Sequence, residues 1–398
     1  MEDVTYGGEK ENIIHSRSYG WRRFSGICHA DLVYNYGTKL QAYAMQTLLE
    51  QNGERCEIIQ WHKRNFGIFN RVVDQYKVLK KIYVGFGKRM KYWPKVMERY
   101  KKFDDFNSKF HIHKYYGDLD EMKECVSKYS HVFCGSDQAW LPSNVEKHWY
   151  TLEFCNSNQV RAAYAPSFGV DRIEDSKLNA YKQFLSLFDY LSVREISGQK
   201  IIKKILEKDV PVVLDPTLLL ERNYWDRLLK EATVCIPKQP YCFCYFLGNN
   251  KKHRESVKHL SQHKDYKIVN LQHFSGFCEA DVDFADENLY AVSPQDFIAL
   301  IANADYVCTD SFHCTAFSIQ YEKNFTVFHR FEKKDKNSTN TRLYSLLEQL
   351  NLGTRIIDDG QDIIPNAVDY SICNNLLEKQ RVISSEYLQE ALRARKKF

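Results

Sequence analysis

The chain has 398 residues, 44% of them hydrophobic, and a net charge of +5. That composition is ordinary for a globular protein and long enough for two domains with separate cores, which excludes large-scale disorder. No run approaches the roughly twenty apolar residues of a membrane span, and the polar start of the chain lacks a signal-peptide core, so the expected compartment is the cytoplasm.

The first 25 residues form an extension to which no role can be given. Residues 40–50 follow a helical apolar pattern closed by Asn52-Gly53, and residues 56–60 follow as a strand. Between Lys63 and Lys109 the chain carries 14 Lys/Arg against 4 Asp/Glu, a local excess of ten, so the remainder is net acidic. Aromatics such as Tyr76, Phe86, Trp93 and Tyr100 interleave with these cations. The stretch at about 63–110 therefore reads as a basic helical insertion, either a solvated face or a contact with an anionic surface. No nucleic-acid-binding signature accompanies it, and no nucleic acid is expected as a partner.

Residues 131–134 are a buried strand running into Gly135-Ser136-Asp137-Gln138. A second buried strand covers 160–165 and ends in Pro166-Ser167-Phe168-Gly169, and a third covers 191–195 before a helix over 197–207. Residues 212–216 read as a hinge strand that Pro216 stops. A second set opens with strands at 241–247 and 267–271, and a helix entered through Ser293, Pro294 and Asp296 follows. The alternation predicts an α/β protein with mostly parallel sheets, whose ligands gather outside the carboxyl ends of the strands. The expected domains are 26–210 and 211–370, with an amphipathic C-terminal helix in 371–398.

Within the second domain a strand over 306–309 gives way to a helix through Asp310-Ser311-Phe312-His313-Cys314-Thr315. The unpaired first amides of that helix and its dipole favour a phosphate or carboxylate there. In the plainer reading Asp310 or Ser311 is only the N-cap and His313 only packs. A strand over 326–329 comes next. Twelve cysteines are scattered with no CxxC pair, many in apolar runs, which fits buried reduced thiols rather than disulfides or structural zinc.

Six motifs then stand in order: Asn35-Tyr36-Gly37 with Leu40-Gln41-Ala42-Tyr43-Ala44; Gly135-Ser136-Asp137-Gln138-Ala139-Trp140; Tyr164-Ala165-Pro166-Ser167-Phe168-Gly169; Ser192-Val193-Arg194-Glu195; Leu214-Asp215-Pro216-Thr217; and Thr309-Asp310-Ser311-Phe312-His313. Across about residues 26–355 they resemble the polysaccharide pyruvyl transferase family. The resemblance implies a GT-B-like arrangement of two Rossmann-like domains facing each other across an interdomain cleft. It also implies transfer of the enolpyruvyl group of phosphoenolpyruvate to two hydroxyls of a sugar, giving a pyruvate ketal in bacterial surface-polysaccharide biosynthesis. The acceptor is then a nucleotide-linked or lipid-diphosphate-linked glycan, with no cofactor and no metal, and with peripheral contact at the inner membrane face through the basic insertion.

For that chemistry Arg194, Ser311, Cys314, Thr315 and Arg342 are the candidate donor-binding residues. His313 is the candidate general acid, and Asp137 or Asp310 either takes the acceptor's proton or orients the histidine. Asn35, Tyr36, Gly37, Gln41, Gly135, Ser136, Gln138, Ser167 and Phe168 are the candidates for the acceptor side or the cleft wall. Plainer readings stand beside these. Arg194 pairs with an acid, Asp137 caps a turn, Asn35 and Gly37 shape a loop, Gly37 by a positive φ, and Ser167 forms backbone.

Two departures from the family pattern bear on the donor. Some members carry an arginine where Ser311 stands, and most carry glycine where Cys314 stands. Either Arg342 replaces the missing cation or this subgroup takes another donor. Cys314 is either an inert neighbour or a thiolate lowered by the helix N-terminus. Two other functions stay open: a GT-B-type glycosyltransferase with a nucleotide-sugar donor, and a non-catalytic glycan or lipid-diphosphate binding protein.

Overall fold

Short apolar runs buried on both faces build the strands, as parallel sheets covered by helices require; His131–Cys134 and Tyr241–Tyr245 expose no residue. In the computed structural model, which describes residues 24–28, 34–62, 90–274, 277–332, 338–363 and 366–396, these runs assemble two six-stranded sheets. Strands β1 (Phe24–Cys28), β2 (Arg55–His62), β3 (Ile112–Tyr116), β4 (His131–Cys134), β5 (Val160–Ala163) and β6 (Tyr190–Leu191) lie in the order β3-β2-β1-β4-β5-β6. Strands β7 (Tyr241–Tyr245), β8 (Lys267–Leu271), β9 (Glu287–Leu289), β10 (Tyr306–Thr309), β11 (Asn324–Phe328) and β12 (Ile356–Ile357) lie in the order β12-β11-β10-β7-β8-β9. Counted from its own first strand, each sheet has the doubly wound Rossmann order, with a crevice where the order reverses. Cys28 opposite Cys134 and Thr309 opposite Tyr245 put the tips of β4 and β10 at the two reversal points.

Eight helices position what lies between the sheets: α1 (Tyr36–Gln51), α2 (Trp93–Phe106), α3 (Ile196–Leu206), α4 (Pro216–Leu219), α5 (Pro294–Asn303), α6 (Phe312–Gln320), α7 (Thr341–Gln349) and α8 (Tyr370–Arg393). The capping box read at Ser293 and Asp296 forms, and it starts α5. Helix α1 begins four residues before the predicted start because Asn35 caps it, its side chain accepting from the Thr38 amide at 3.1 Å. The hinge strand expected over 212–216 does not form. Val212 makes one bridge to Val193, and Asp215 caps α4 by accepting from the Thr217 amide at 3.0 Å, so Pro216 opens a helix.

The two halves are joined by one apolar core. Leu40 and Met45 of α1, Leu218 of α4, Phe297 of α5, Phe317 of α6 and Leu388 of α8 belong to it. Helix α8 crosses back onto the first half, where Tyr387 donates to the Ala163 carbonyl at 2.7 Å and Ser384 accepts from the Leu214 amide at 2.9 Å. No described helix is long and apolar enough to cross a membrane. The described cysteines are free thiols, most of them buried.

Residues 63–89 of the basic stretch, including Lys77, Lys80, Lys88 and Arg89, lie outside the described residues, as do residues 1–23. The described remainder, residues 90–109, is mostly α2, whose outer face, with Lys95, Glu98 and Lys101, is solvated while its inner face docks on the protein. Arg99 is fully buried and donates to the carbonyls of Gln272 at 3.0 Å, His273 at 3.2 Å and Leu289 at 3.4 Å, and to that of Tyr290. Lys102 reaches Asp296 at 3.3 Å, and Tyr92 stacks on Tyr290 with ring centres 4.5 Å apart. Helix α2 thus docks on the tips of β8 and β9 in the other half. Replacing Arg99 by Met keeps the length and removes the donors, which costs about 1–3 kcal/mol for a carbonyl left buried without one. Denaturant unfolding of Arg99→Met should show that loss as a lower midpoint; an unchanged midpoint would mean that α2 docks without it.

Candidate functional site

Two helix N-termini meet where the halves face each other. His313 sits in the first turn of α6, and its ring lies against Gly37 in the first turn of α1, so close that a Cβ on Gly37 would fall 2.0 Å from Nδ1. Gly37 is helical and has no positive φ, so it is glycine for space rather than for loop shape.

Asp215, at the cap of α4, faces the other ring nitrogen. His313 Nε2 lies 3.6 Å from Asp215 Oδ2, beyond hydrogen-bond length, and is buried with no hydrogen-bond partner. The same Oδ2 accepts from Arg194 Nη1 at 2.7 Å and Ser136 Oγ at 2.9 Å, while Oδ1 accepts from the Thr217 hydroxyl at 2.8 Å. Burial alone would raise this carboxyl, but His313, Arg194 and the Thr217 amide outweigh it and hold Asp215 well below the ordinary carboxylate range.

Arg194, beyond the end of β6, is the hub. Its Nη2 lies 3.5 Å from Asp137 Oδ1, and its guanidinium stacks 4.2 Å from the centre of the Phe312 ring. Arg342, in the first turn of α7, approaches the same Asp137 oxygen at 3.8 Å and is fixed by Thr339, whose carbonyl and hydroxyl accept at 3.2 and 3.0 Å. Burial and the nearby Arg194 disfavour the charge of Arg342, which an incoming anion would relieve. Asp137 is held in a left-handed turn, φ 67°, and its side chain remains 27% exposed whereas that of Asp215 is wholly buried. Burial opposes ionisation at Asp137 too, but Arg194, His313 and Arg342 keep its pKa low. It is the more accessible carboxylate of the pair.

Other candidates are spent inside the protein. Asp310 accepts from the amides of Leu247 and Gly248 at 2.7 and 2.8 Å, tying the β10 tip to the loop after β7. Ser311 is the N-cap of α6, and the Thr315 hydroxyl donates to the Ser311 carbonyl at 2.9 Å. Cys314 is fully buried, and burial pushes its thiol far above the usual range, so the thiolate reading fails. Among the described residues the Phe312 and His313 amides have no protein acceptor, which leaves α6 two free donors.

Several residues assigned to the acceptor side face inward instead. Tyr36 donates to the Val292 carbonyl at 2.9 Å within an aromatic cluster, and the Gln41 side chain accepts from the Ser136 amide at 3.2 Å. Ser167 and the Phe168 amide both donate to buried Glu195, at 2.9 and 2.8 Å. Asn35 caps α1. A Cβ on Gly135 would lie 2.2 Å from the Tyr164 carbonyl, so that glycine permits close approach of two turns, and Gln138 packs beside Gly169.

Two members of the cluster were not among the candidates. Asp215 stood inside a recognised motif, where its position before proline reads as a cap. Arg330, just beyond β11, forms no ion pair among the described residues, and its buried Nε has no partner. It lies beside Gly248 and Asp310: a Cβ on Gly248 would be 3.5 Å from Arg330 Cγ and 3.0 Å from Asp310 Oδ2. No sequence pattern marks it.

The depressed carboxyls make an acid-stability prediction. A folded-state pKa below the unfolded value contributes stability that is full above about pH 4 and is lost as pH falls further. Asp215→Asn should therefore be less stable than wild type at pH 7 and lose less on going from pH 5 to pH 2. Parallel acid-unfolding curves would contradict this.

A family model described as polysaccharide pyruvyl transferase matches residues 35–329. No curated protein matches the chain. Similar solved structures include the UDP-GlcNAc 2-epimerase of Neisseria meningitidis (10% identity, TM-score 0.48, 94% of this chain and 99% of that one). That of Methanocaldococcus jannaschii is similar at 13% identity and TM-score 0.46, over 94% of this chain and 93% of that one. The E. coli heptosyltransferase WaaC is similar at 8% identity and TM-score 0.38, over 82% and 99%. The fold assignment rests on the strand order, not on these likenesses.

Proposed function

The chain belongs to the polysaccharide pyruvyl transferase family, and from that membership we propose that it moves the enolpyruvyl group of phosphoenolpyruvate onto two hydroxyls of one sugar in a glycan intermediate. The observation that supports this most is the setting of His313: a ring backed by an ionised carboxylate, among guanidinium groups and free helix amides, at the junction of both halves.

The donor is an anion twice over, with a phosphate and a carboxylate. Arg194 is already balanced by Asp137 and Asp215, so the groups left to receive the donor are Arg342, Arg330 and the Phe312 and His313 amides. This supplies a cation without an arginine at Ser311. His313 protonates the methylene carbon, and Asp215 stabilises the imidazolium before that transfer. Asp137 receives a proton from an acceptor hydroxyl. In the full reaction two C–O bonds form at the central carbon of the donor and its bond to the phosphate oxygen breaks. Of the two hydroxyl protons, one is matched by that added to the methyl carbon and the other leaves with phosphate.

A lipid-diphosphate-linked acceptor would bring the enzyme to the inner membrane face, where the cations of residues 63–89 are suited to hold it. The test is phosphate release from phosphoenolpyruvate against a panel of nucleotide- and lipid-linked sugars. Release that requires an acceptor supports the proposal. Nucleotide release from a sugar donor would replace it with glycosyl transfer, and binding without turnover with a non-catalytic role. Arg330→Ala should raise KM for phosphoenolpyruvate about tenfold, the loss of one charged hydrogen bond; an unchanged KM removes Arg330 from the donor site.

A further inference from the structure

Three metal-ligating side chains converge in the turn after β8. His273 follows that strand, Cys278 precedes a short 3-10 turn, and Asp281 ends it; their ligand atoms all lie within 4.8 Å of one another. Two of these atoms are orphans. Among the described residues His273 Nε2 and Asp281 Oδ2 are buried without hydrogen-bond partners, and they face each other at 3.9 Å, too far to bond directly. An imidazole nitrogen and a carboxylate oxygen on a tetrahedral zinc ion stand roughly 3.3–3.5 Å apart, given their bonds of about 2.0–2.2 Å, so this gap must close by about half an ångström to hold the ion.

The surroundings hold these atoms in place. Asp281 is 3% exposed, and its other oxygen accepts from Arg254 Nε at 2.9 Å and Nη2 at 2.7 Å, which fixes the carboxylate with Oδ2 aimed into the gap. The Asp281 amide donates to the Cys278 carbonyl at 3.1 Å, closing the turn that carries both residues. Arg254 already balances the Asp281 carboxylate, so a Cys278 thiolate would be the uncompensated negative charge offered to a cation.

We propose that His273, Cys278 and Asp281 bind a borderline-soft divalent cation, for which zinc is the best match to an N, S, O donor set, with the fourth position open to water. The paired-cysteine pattern that marks many zinc sites in sequence is absent here, because the three ligands are of different types. The carbonyls of Gln272 and His273 on the same loop accept from Arg99, so the ion fixes the surface on which α2 docks. The proposal does not depend on the reaction proposed above.

Its test uses the full chain stripped with chelator and titrated with cobalt and with zinc. The expected result is one cobalt ion per chain with a thiolate charge-transfer band and the visible bands of a four-coordinate ion, displaced by zinc, together with a rise in melting temperature on adding zinc. Cys278→Ser, checked for folding by circular dichroism, should abolish the charge-transfer band. Asp281→Asn should weaken binding by no less than the about tenfold that even an outer-shell loss costs. No band in the wild type, or a band that persists in Cys278→Ser through another thiol, overturns the site. Should Cys278→Ser not fold, His273→Gln serves in its place, and retention of full cobalt affinity there overturns the proposal equally.

Discussion

His313→Ala should lower acceptor-dependent phosphate release from phosphoenolpyruvate by about 10²- to 10⁴-fold, the range for a lost general acid. The folded state should survive, because His313 Nε2 has no hydrogen-bond partner among the described residues and the ring lies at a helix start and packs on a glycine. The donor should still bind with KM changed little, since Arg342, Arg330 and the α6 amides remain. That split separates chemistry from packing: a histidine that only filled space would alter stability and leave kcat alone. Burst-free steady-state kinetics beside a thermal melt reads both quantities.

Gly37→Ala is expected to be nearly as damaging although the residue does no chemistry. The new methyl carbon would sit 2.0 Å from Nδ1, 2.5 Å from Cγ and 2.8 Å from Cε1 of His313, so the ring must turn or α1 must shift. Neither is free, because the ring is flanked by Asp215 and Phe312 and α1 is anchored in the shared core. A displacement near 1 Å costs about 10²-fold in rate. Stability should change far less, since alanine favours a helix over glycine by about 1 kcal/mol and offsets part of an overpacking cost of about 1–3 kcal/mol. The double variant Gly37→Ala, His313→Ala removes the clash, so the two stability effects should not add. Additive effects would mean that the two residues do not meet.

Much of the fold is legible in local pattern. Strands β8 and β10 fall on the residues their apolar character predicts, and α5 starts at its capping box, because those signals depend only on near neighbours. His313 is legible too, as a histidine in the first turn after a buried strand. What local pattern does not carry is pairing across the chain. Arg99 looks like one more cation in a basic stretch, yet its Gln272 partner lies 173 residues away and makes it a buried anchor. Asp215 reads as a cap, which it is, while the oxygen not used for capping faces Arg194 and His313. Gly37 is recognisable as a motif glycine, but the reason for it, the ring of His313, belongs to the other half of the molecule. Asp310, Ser311 and Thr315 mislead in the opposite sense: polar residues at a strand tip look functional, and here they build the turn that presents the histidine.

In the proposed reaction a proton from solvent reaches the methylene carbon of an enolpyruvyl donor through His313. Running the reaction in deuterium oxide with an active acceptor and examining the product by mass spectrometry and proton NMR tests it most directly. Wild type should form a sugar carrying a carboxyethylidene ketal whose methyl group holds one solvent deuterium, and His313→Ala should not. A ketal methyl free of deuterium, or a product made equally well without His313, would contradict it.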